Sequence, residues 1–239
     1  MIQRQQYVQI KEWVIVEGSP NEALRDKNVM NITEFIHEKM EQTDIEMRFI
    51  VPESIVPLSN LRNIGNDHCK GDIIICMDDD DYYPPTRVPH TVNMLNQYNR
   101  EIAGCSGMYM YDYLQDRLYK FRGFHSNHST NNCFAYKKSY LKLHRYAEGL
   151  DHAEGLDHAE GLDHAEGLDH AEGLDHAEGL DHAEESSFTN DFREPMIQLH
   201  PEKCIVVSRH GKNTVDKIHC LHNKYIFEIV SKTVEDLIH

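Results

Sequence analysis

Four consecutive aspartates, Asp78-Asp79-Asp80-Asp81, follow directly on the apolar run Ile73-Ile-Ile-Cys-Met77 and precede Tyr82-Tyr-Pro-Pro85. Four charged side chains cannot be buried without compensation, and carboxylates at the end of a strand suit a hard divalent ion such as Mg²⁺ or Mn²⁺. On an extended segment Asp78 and Asp80 share one side while Asp79 faces away, so the first pair is expected to meet the ion. The alternative is a solvated acidic turn. Acidic side chains hold a diphosphate only through a metal, because bare carboxylates repel it, so an ion belongs to any diphosphate-binding reading.

The elements around this turn must be built to aim it. Glu12-Trp-Val-Ile-Val-Glu17 reads as a buried strand closed by Gly18-Ser-Pro20, and Glu17 stands where open α/β sheets bind ligands. Asn31-Ile-Thr-Glu34 has capping-box spacing, with Ile32, Phe35, Ile36 and Met40 as the apolar face of the helix it would start. Met47–Val51 is a second strand, Leu58–Cys69 a helix carrying Arg62-Asn63, and Asp72–Met77 a third strand. Val88, Val92 and Leu95 mark a further helix with Pro89 in its first turn. Ala103–Tyr113 and Arg117–Phe121 read as strands, Lys137–Tyr146 as a helix, and Cys204–Val207 as a strand. Tyr225–Val230 fits either type. Alternation of strand and helix predicts an α/β domain with a mainly parallel central sheet and flanking helices.

The chain has 239 residues and a formal charge of -16. Residues 147–182 are six copies of Ala-Glu-Gly-Leu-Asp-His, which carry -12 of that charge and leave -4 for the rest. The acidity therefore describes the repeat and not the partner of the domain. Leucines six residues apart never line one helical face, and each glycine weakens a helix by about 1 kcal/mol. An exposed or weakly ordered insertion in a single domain spanning 1–239 is expected. Six scattered cysteines form no CxxC pair, and no leader or apolar run of membrane-spanning length is present, so a cytoplasmic protein without an integral membrane segment is expected. Balanced charge outside the repeat offers no nucleic-acid footprint.

Arg62-Asn-Ile-Gly65, Lys70-Gly-Asp72, the apolar strand and the aspartate-rich turn followed by Pro84 occur in that order. This combination resembles the family-2-like glycosyltransferases, whose fold for nucleotide-diphosphate sugars is called GT-A. Glu184-Glu185-Ser-Ser-Phe188 resembles the segment with the family's catalytic base, and His210-Gly-Lys-Asn-Thr214 its late histidine segment. Glu17 stands where the family often has a nucleotide-binding aspartate.

The resemblance implies an inverting, metal-dependent transfer of sugar from a nucleotide-diphosphate donor, possibly UDP-linked, to an unknown acceptor hydroxyl. Glu185, or Glu184 one position away, would be the base. Glu17, Arg62, Asp78 and Asp79 would bind the donor; Asp78, Asp80 and His210 would hold Mn²⁺ or Mg²⁺. The family's first strand has no counterpart in this sequence, whose beginning resembles the part just after it. That leaves room for a nucleotide-sugar-binding protein with impaired turnover. A Mg²⁺-dependent phosphohydrolase or nucleotidyltransferase is a further alternative, since adjacent aspartates also serve phosphate chemistry.

Overall fold

A computed structural model describes residues 4–7, 9–40, 43–149, 184–211 and 227–230. The elements run β1 (Glu12–Val16), α1 (Glu22–Met40), β2 (Glu46–Ile50), α2 (Leu58–His68), β3 (Ile73–Ile75) and α3 (Arg87–Gln97). They continue as β4 (Ile102–Gly104), β5 (Met108–Asp112), β6 (Arg117–Phe121), β7 (Ala135–Lys137), α4 (Glu184–Phe188), β8 (Ile197–Gln198), β9 (Val206–Arg209) and β10 (Phe227–Ile229).

The sheets are mixed, which corrects the expectation of a mainly parallel one. β1 and β2 pair in parallel, but the other two sheets have the orders β3-β7-β4-β8 and β10-β6-β5-β9, each with antiparallel and parallel neighbours. The cause is a reversal after β4. Ala103–Tyr113 is not one strand, because Cys105 and Ser106 leave the ladder and give their N–H groups to Ser129 Oγ and Gln198 Oε1, 2.9 and 2.8 Å away. The chain then makes the β5–β6 hairpin and returns as β7, antiparallel between β3 and β4. Among the described residues β1–β2 and β3 share no ladder. Glu12 links them instead, accepting Arg48 Nη2 from β2 at 2.6 Å and the Gly71 and Lys70 N–H groups from the turn before β3.

Two helices depart from expectation. α1 starts nine residues before Asn31, with Asn21 Oδ1 accepting the Leu24 N–H at 3.0 Å. Asn21 supplies the side-chain cap, so the Asn31–Glu34 pattern falls inside the helix. Lys137–Tyr146 is not a helix either: Lys137 ends β7, only Lys138–Lys142 forms a short 3₁₀ turn, and Asn63 then holds Tyr146 by two hydrogen bonds. Of the Tyr225–Val230 stretch, Phe227–Ile229 forms the strand β10, and residues 225 and 226 lie outside the described residues.

α3 follows its pattern, with Val88, Thr91, Val92 and Leu95 buried at helical spacing and Pro89 in the first turn, where its missing N–H costs nothing. Each fully buried apolar side chain of this size contributes about 1.5–3 kcal/mol. The main core joins Leu95 to Ala103, Met110, Ile205 and Val207, which packs α3 against the strands that carry the acidic turn and its partners. A second core surrounds Phe188 of α4, stacked on Tyr146 at 4.1 Å and edge-on to Tyr136 and Tyr140.

Most of the repeat, from 150 on, lies outside the described residues, and so do Cys220 and Asn213-Thr214. Its two attachment points are close together: beside the Tyr146–Phe188 stack, the Ala147 N–H donates to Ser187 Oγ at 3.1 Å. Deleting residues 147–182 leaves the flanking segments still joined through the Tyr146–Phe188 stack. The shortened protein is expected to melt cooperatively within a few degrees of the full chain; loss of the cooperative transition would show that the repeat is part of the fold.

Candidate active site

The acidic run is held from both flanks. Cys76 N–H donates to Phe134 O of the adjoining segment, and Tyr82 bridges Val206 of β9 through two backbone bonds of 2.9 and 3.1 Å. Between these clamps Asp79 and Asp80 form a turn. The alternation expected of an extended segment therefore does not apply, and the four aspartates reach different partners.

Asp81 is 8 % exposed and structural in its bonding: it accepts the Ser208 N–H at 2.8 Å and Asn132 Nδ2 at 2.7 Å, tying the turn to β9. Tyr83 is buried in the main core, and its hydroxyl accepts the Asp78 N–H. Asp79 projects outward. Desolvation, then the charges of Asp80 and Asp78, raise its pKa.

Asp78 Oδ1 accepts Arg62 Nη1 at 2.8 Å, and Asp80 Oδ2 lies 3.9 Å from His210 Nε2. The structure thus brings Arg62, Asp78, Asp80 and His210 to one place from segments up to about 150 residues apart in sequence. Among the described residues no group of three His, Cys, Asp or Glu side chains forms a ready metal cage. The half-exposed Asp80–His210 pair offers one hard oxygen and one imidazole nitrogen, a donor set that fits Mn²⁺ or Mg²⁺ only if substrate and water complete it.

α4 delivers the acidic pair to the same place. Glu184 is 3 % exposed; its Oε1 accepts Asn131 Nδ2 at 2.9 Å and lies 3.5 Å from Arg62 Nε. Arg62 Nε and Glu184 Oε2 have no hydrogen-bond partner among the described residues. Burial raises the Glu184 pKa, against the opposing pull of Arg62 and Asn131. Glu185 is less enclosed. Its Oε1 accepts the Asn131 N–H at 3.1 Å, and burial, then the Glu184 charge, raise its pKa. Burial opposes the charge on Arg62, but Asp78, through charge and hydrogen bonding, leaves the guanidinium pKa well above its ordinary value.

Glu17 takes another part. It is 5 % exposed, and its carboxylate closes its own turn by accepting the Ser19 N–H at 2.9 Å and the Ser19 hydroxyl. Asn131, which serves both glutamates and accepts the Tyr146 hydroxyl at 2.8 Å, is the site residue that sequence reasoning missed. Nothing local distinguishes the Thr130-Asn-Asn132 stretch from an ordinary polar turn.

Arg62 contacts both Asp78 and Glu184, so Arg62→Gln leaves two poorly hydrated carboxylates without it. A loss of about 2–4 kcal/mol in urea denaturation at neutral pH is expected. The folded-state pKa of Glu184 is raised, so its contribution to stability is full below the ordinary carboxylate range and is lost as pH rises through the raised value. The deficit should accordingly shrink on acidification. A deficit independent of pH would show that Arg62 matters through packing alone.

Residues 26–144 match the glycosyl transferase family 2 profile. Among solved structures, that of S. aureus TarS 1-349 in complex with UDP-GlcNAc is similar, with a TM-score of 0.54, 12 % identity, and coverage of 89 % of this chain and 54 % of that one. Another TarS 1-349 structure has a TM-score of 0.45, 14 % identity, and coverage of 64 % and 46 %. This chain thus spans about half the length of the solved chains it matches. No curated protein sequence matches it significantly. The acidic turn and Arg62 lie inside the segment that matches the family profile and α4 outside it, and the chain shares the α/β fold of the TarS 1-349 structure in complex with UDP-GlcNAc.

Proposed function

We propose that the protein is an inverting, metal-dependent glycosyltransferase that moves a sugar from a UDP-linked donor to an acceptor hydroxyl. The observation that carries this reading is the meeting of the acidic turn, Arg62 and the Glu184–Glu185 pair, in which one guanidinium contacts carboxylates more than 100 residues apart in sequence. The family match of residues 26–144 and the likeness to a structure containing UDP-GlcNAc support a nucleotide-sugar donor.

Asp80 and His210 would hold Mn²⁺ or Mg²⁺, with Asp78 beside them in its ion pair with Arg62. When bound, the ion offsets the negative charge of the diphosphate leaving group. Arg62 and Asp79 border the place for the donor, and Glu17 shapes the β1 end of that region through its turn. Glu185 is the base: Asn131 holds its Oε1 in place, and the carboxylate takes the acceptor's proton as the acceptor oxygen bonds to C1 and the C1–diphosphate bond breaks. Attack from the face opposite the diphosphate inverts C1. A raised pKa suits a carboxylate that must accept a proton.

Glu185→Gln should leave UDP binding intact and cut transfer at least about 100-fold, the usual scale for a lost general base. Glu184→Gln is the paired variant: turnover lost only there would move the base by one residue, and near-normal turnover in both would reject α4 as its source. Donor binding with no transfer by the unmodified protein would favour a binding protein, and hydrolysis of a nucleotide without any acceptor would favour the phosphohydrolase class.

Calorimetric titration of UDP with and without Mn²⁺ separates the aspartates. Asp80→Ala should abolish the metal-dependent part of the affinity, and Asp79→Ala should keep most of it. Equal retention in both variants would remove Asp80 from the ion's site.

A further inference from the structure

An aromatic cluster adjoins α4 and has no part in the chemistry above. Phe124, His125 and Phe192 surround the buried His128, with ring centroids 4.8, 5.8 and 5.0 Å from it, and His125 and Phe192 form a T-shaped pair at 6.1 Å. Phe124 is 48 % exposed, His125 is exposed and Phe192 is partly so, which leaves ring surface open to solvent. Burial, then the charge of His125, lower the His128 pKa to about 4, so the base of the cluster is uncharged at neutral pH.

The backbone is committed to presenting these rings. Gly123 has φ +79°, and a Cβ there would overlap Ser106, whose hydroxyl accepts the Phe124 N–H at 2.9 Å and pairs with His128 Nδ1 at 3.2 Å. On the other side Asn190, Asp191 and Phe192 all have positive φ, of 52°, 54° and 55°. Three successive L-residues in this region strain the backbone, and such conformations concentrate at functional sites. The turn is fastened to α4: Asp191 N–H donates to Ser186 O at 2.8 Å, and Thr189 Oγ1 joins the Glu185 carbonyl at 2.7 Å to the Phe192 N–H at 3.2 Å.

Both sides of the cluster lead to Glu185. His128 is three residues from Asn131, whose N–H holds the Glu185 carboxylate, and that stretch spans no more than about 11 Å between α-carbons. A ligand on the rings that reached Glu185 would need a hydroxyl at one end and a flat C–H face at the other. The axial C–H groups of a pyranose carry partial positive charge and suit the negative face of an aromatic ring. The open surface amounts to a few side chains with a wet imidazole edge, too small and too polar for a lipid chain.

Resting on the transferase reading above, we infer that Phe124, His125 and Phe192 form the acceptor subsite and that the acceptor ends in a cyclic sugar stacked on these rings. The rings position the acceptor and do not touch the reacting bond.

The test uses the full chain with ring-labelled phenylalanines, observed by NMR during separate titrations with methyl glycosides of glucose, galactose and N-acetylglucosamine, with sorbitol as an open-chain polyol, and with UDP plus Mn²⁺. At least one cyclic glycoside should shift the Phe124 and Phe192 rings and sorbitol should not. Phe124→Ala and Phe192→Ala should each weaken that binding about tenfold, Phe192→Tyr should restore it, and UDP affinity should stay within about twofold throughout. Phe124 is exposed, so its variant keeps the test sound if Phe192→Ala unfolds. Rings that no glycoside moves, or glycoside affinity unchanged in Phe124→Ala, would overturn the subsite even where UDP binds normally. Glycoside binding at the rings without UDP binding would uphold the subsite and sink the donor reading instead.

Discussion

The site depends on where the charge of Arg62 is spent. A guanidinium taken largely out of water needs compensating carboxylates, and Arg62 finds them in Asp78 on one side and Glu184 on the other. Through those two contacts it holds the turn after β3 and the short helix α4 to α2. Five residues make α4 too short to be stable by its own hydrogen bonds. Its position comes from Phe188 in the aromatic core, from Asn131, and from the attraction between Glu184 and Arg62. Geometry between the carboxylates is thus set by one cation and one packed ring.

What the sequence revealed, and what it hid, follows from the range of the interactions. Strands β1 and β2 and helices α2 and α3 were legible because apolar spacing within a single segment determines them. The sheet order was not legible, since β7 is three residues long and is placed by partners on both sides rather than by any pattern of its own. Asn21 shows a different limit: the capping-box spacing at Asn31–Glu34 pointed to a later start, but the helix already begins at Glu22 with Asn21 as its cap.

The same division holds at the site. Asp78, Asp80, His210, Glu184 and Glu185 could be picked out by residue type and order, but their division of labour could not. Asp81, identical in type to its neighbours, is consumed by Ser208 and Asn132, and Glu17 by the turn that follows it. These assignments depend on which N–H groups a carboxylate can reach, and distant segments supply most of them. Asn131 was invisible for that reason, since its significance lies wholly in what the fold brings to it.

The repeat makes the point sharpest. Ala183-Glu184 repeats the opening of every hexad, so sequence alone gives Glu148 and Glu184 equal claim to the site. Glu148 is exposed, whereas Glu184 is buried against Asn131 and Arg62. A carboxylate buried beside a guanidinium has its charge engaged and is poorly placed to collect a proton, whereas Glu185 is held by backbone N–H groups, that of Asn131 among them. Burial, and then the like charge of Glu184, raise the pKa of Glu185. Two adjacent glutamates of the same chemistry are thereby given different surroundings, and the difference follows from which of them the cation reaches.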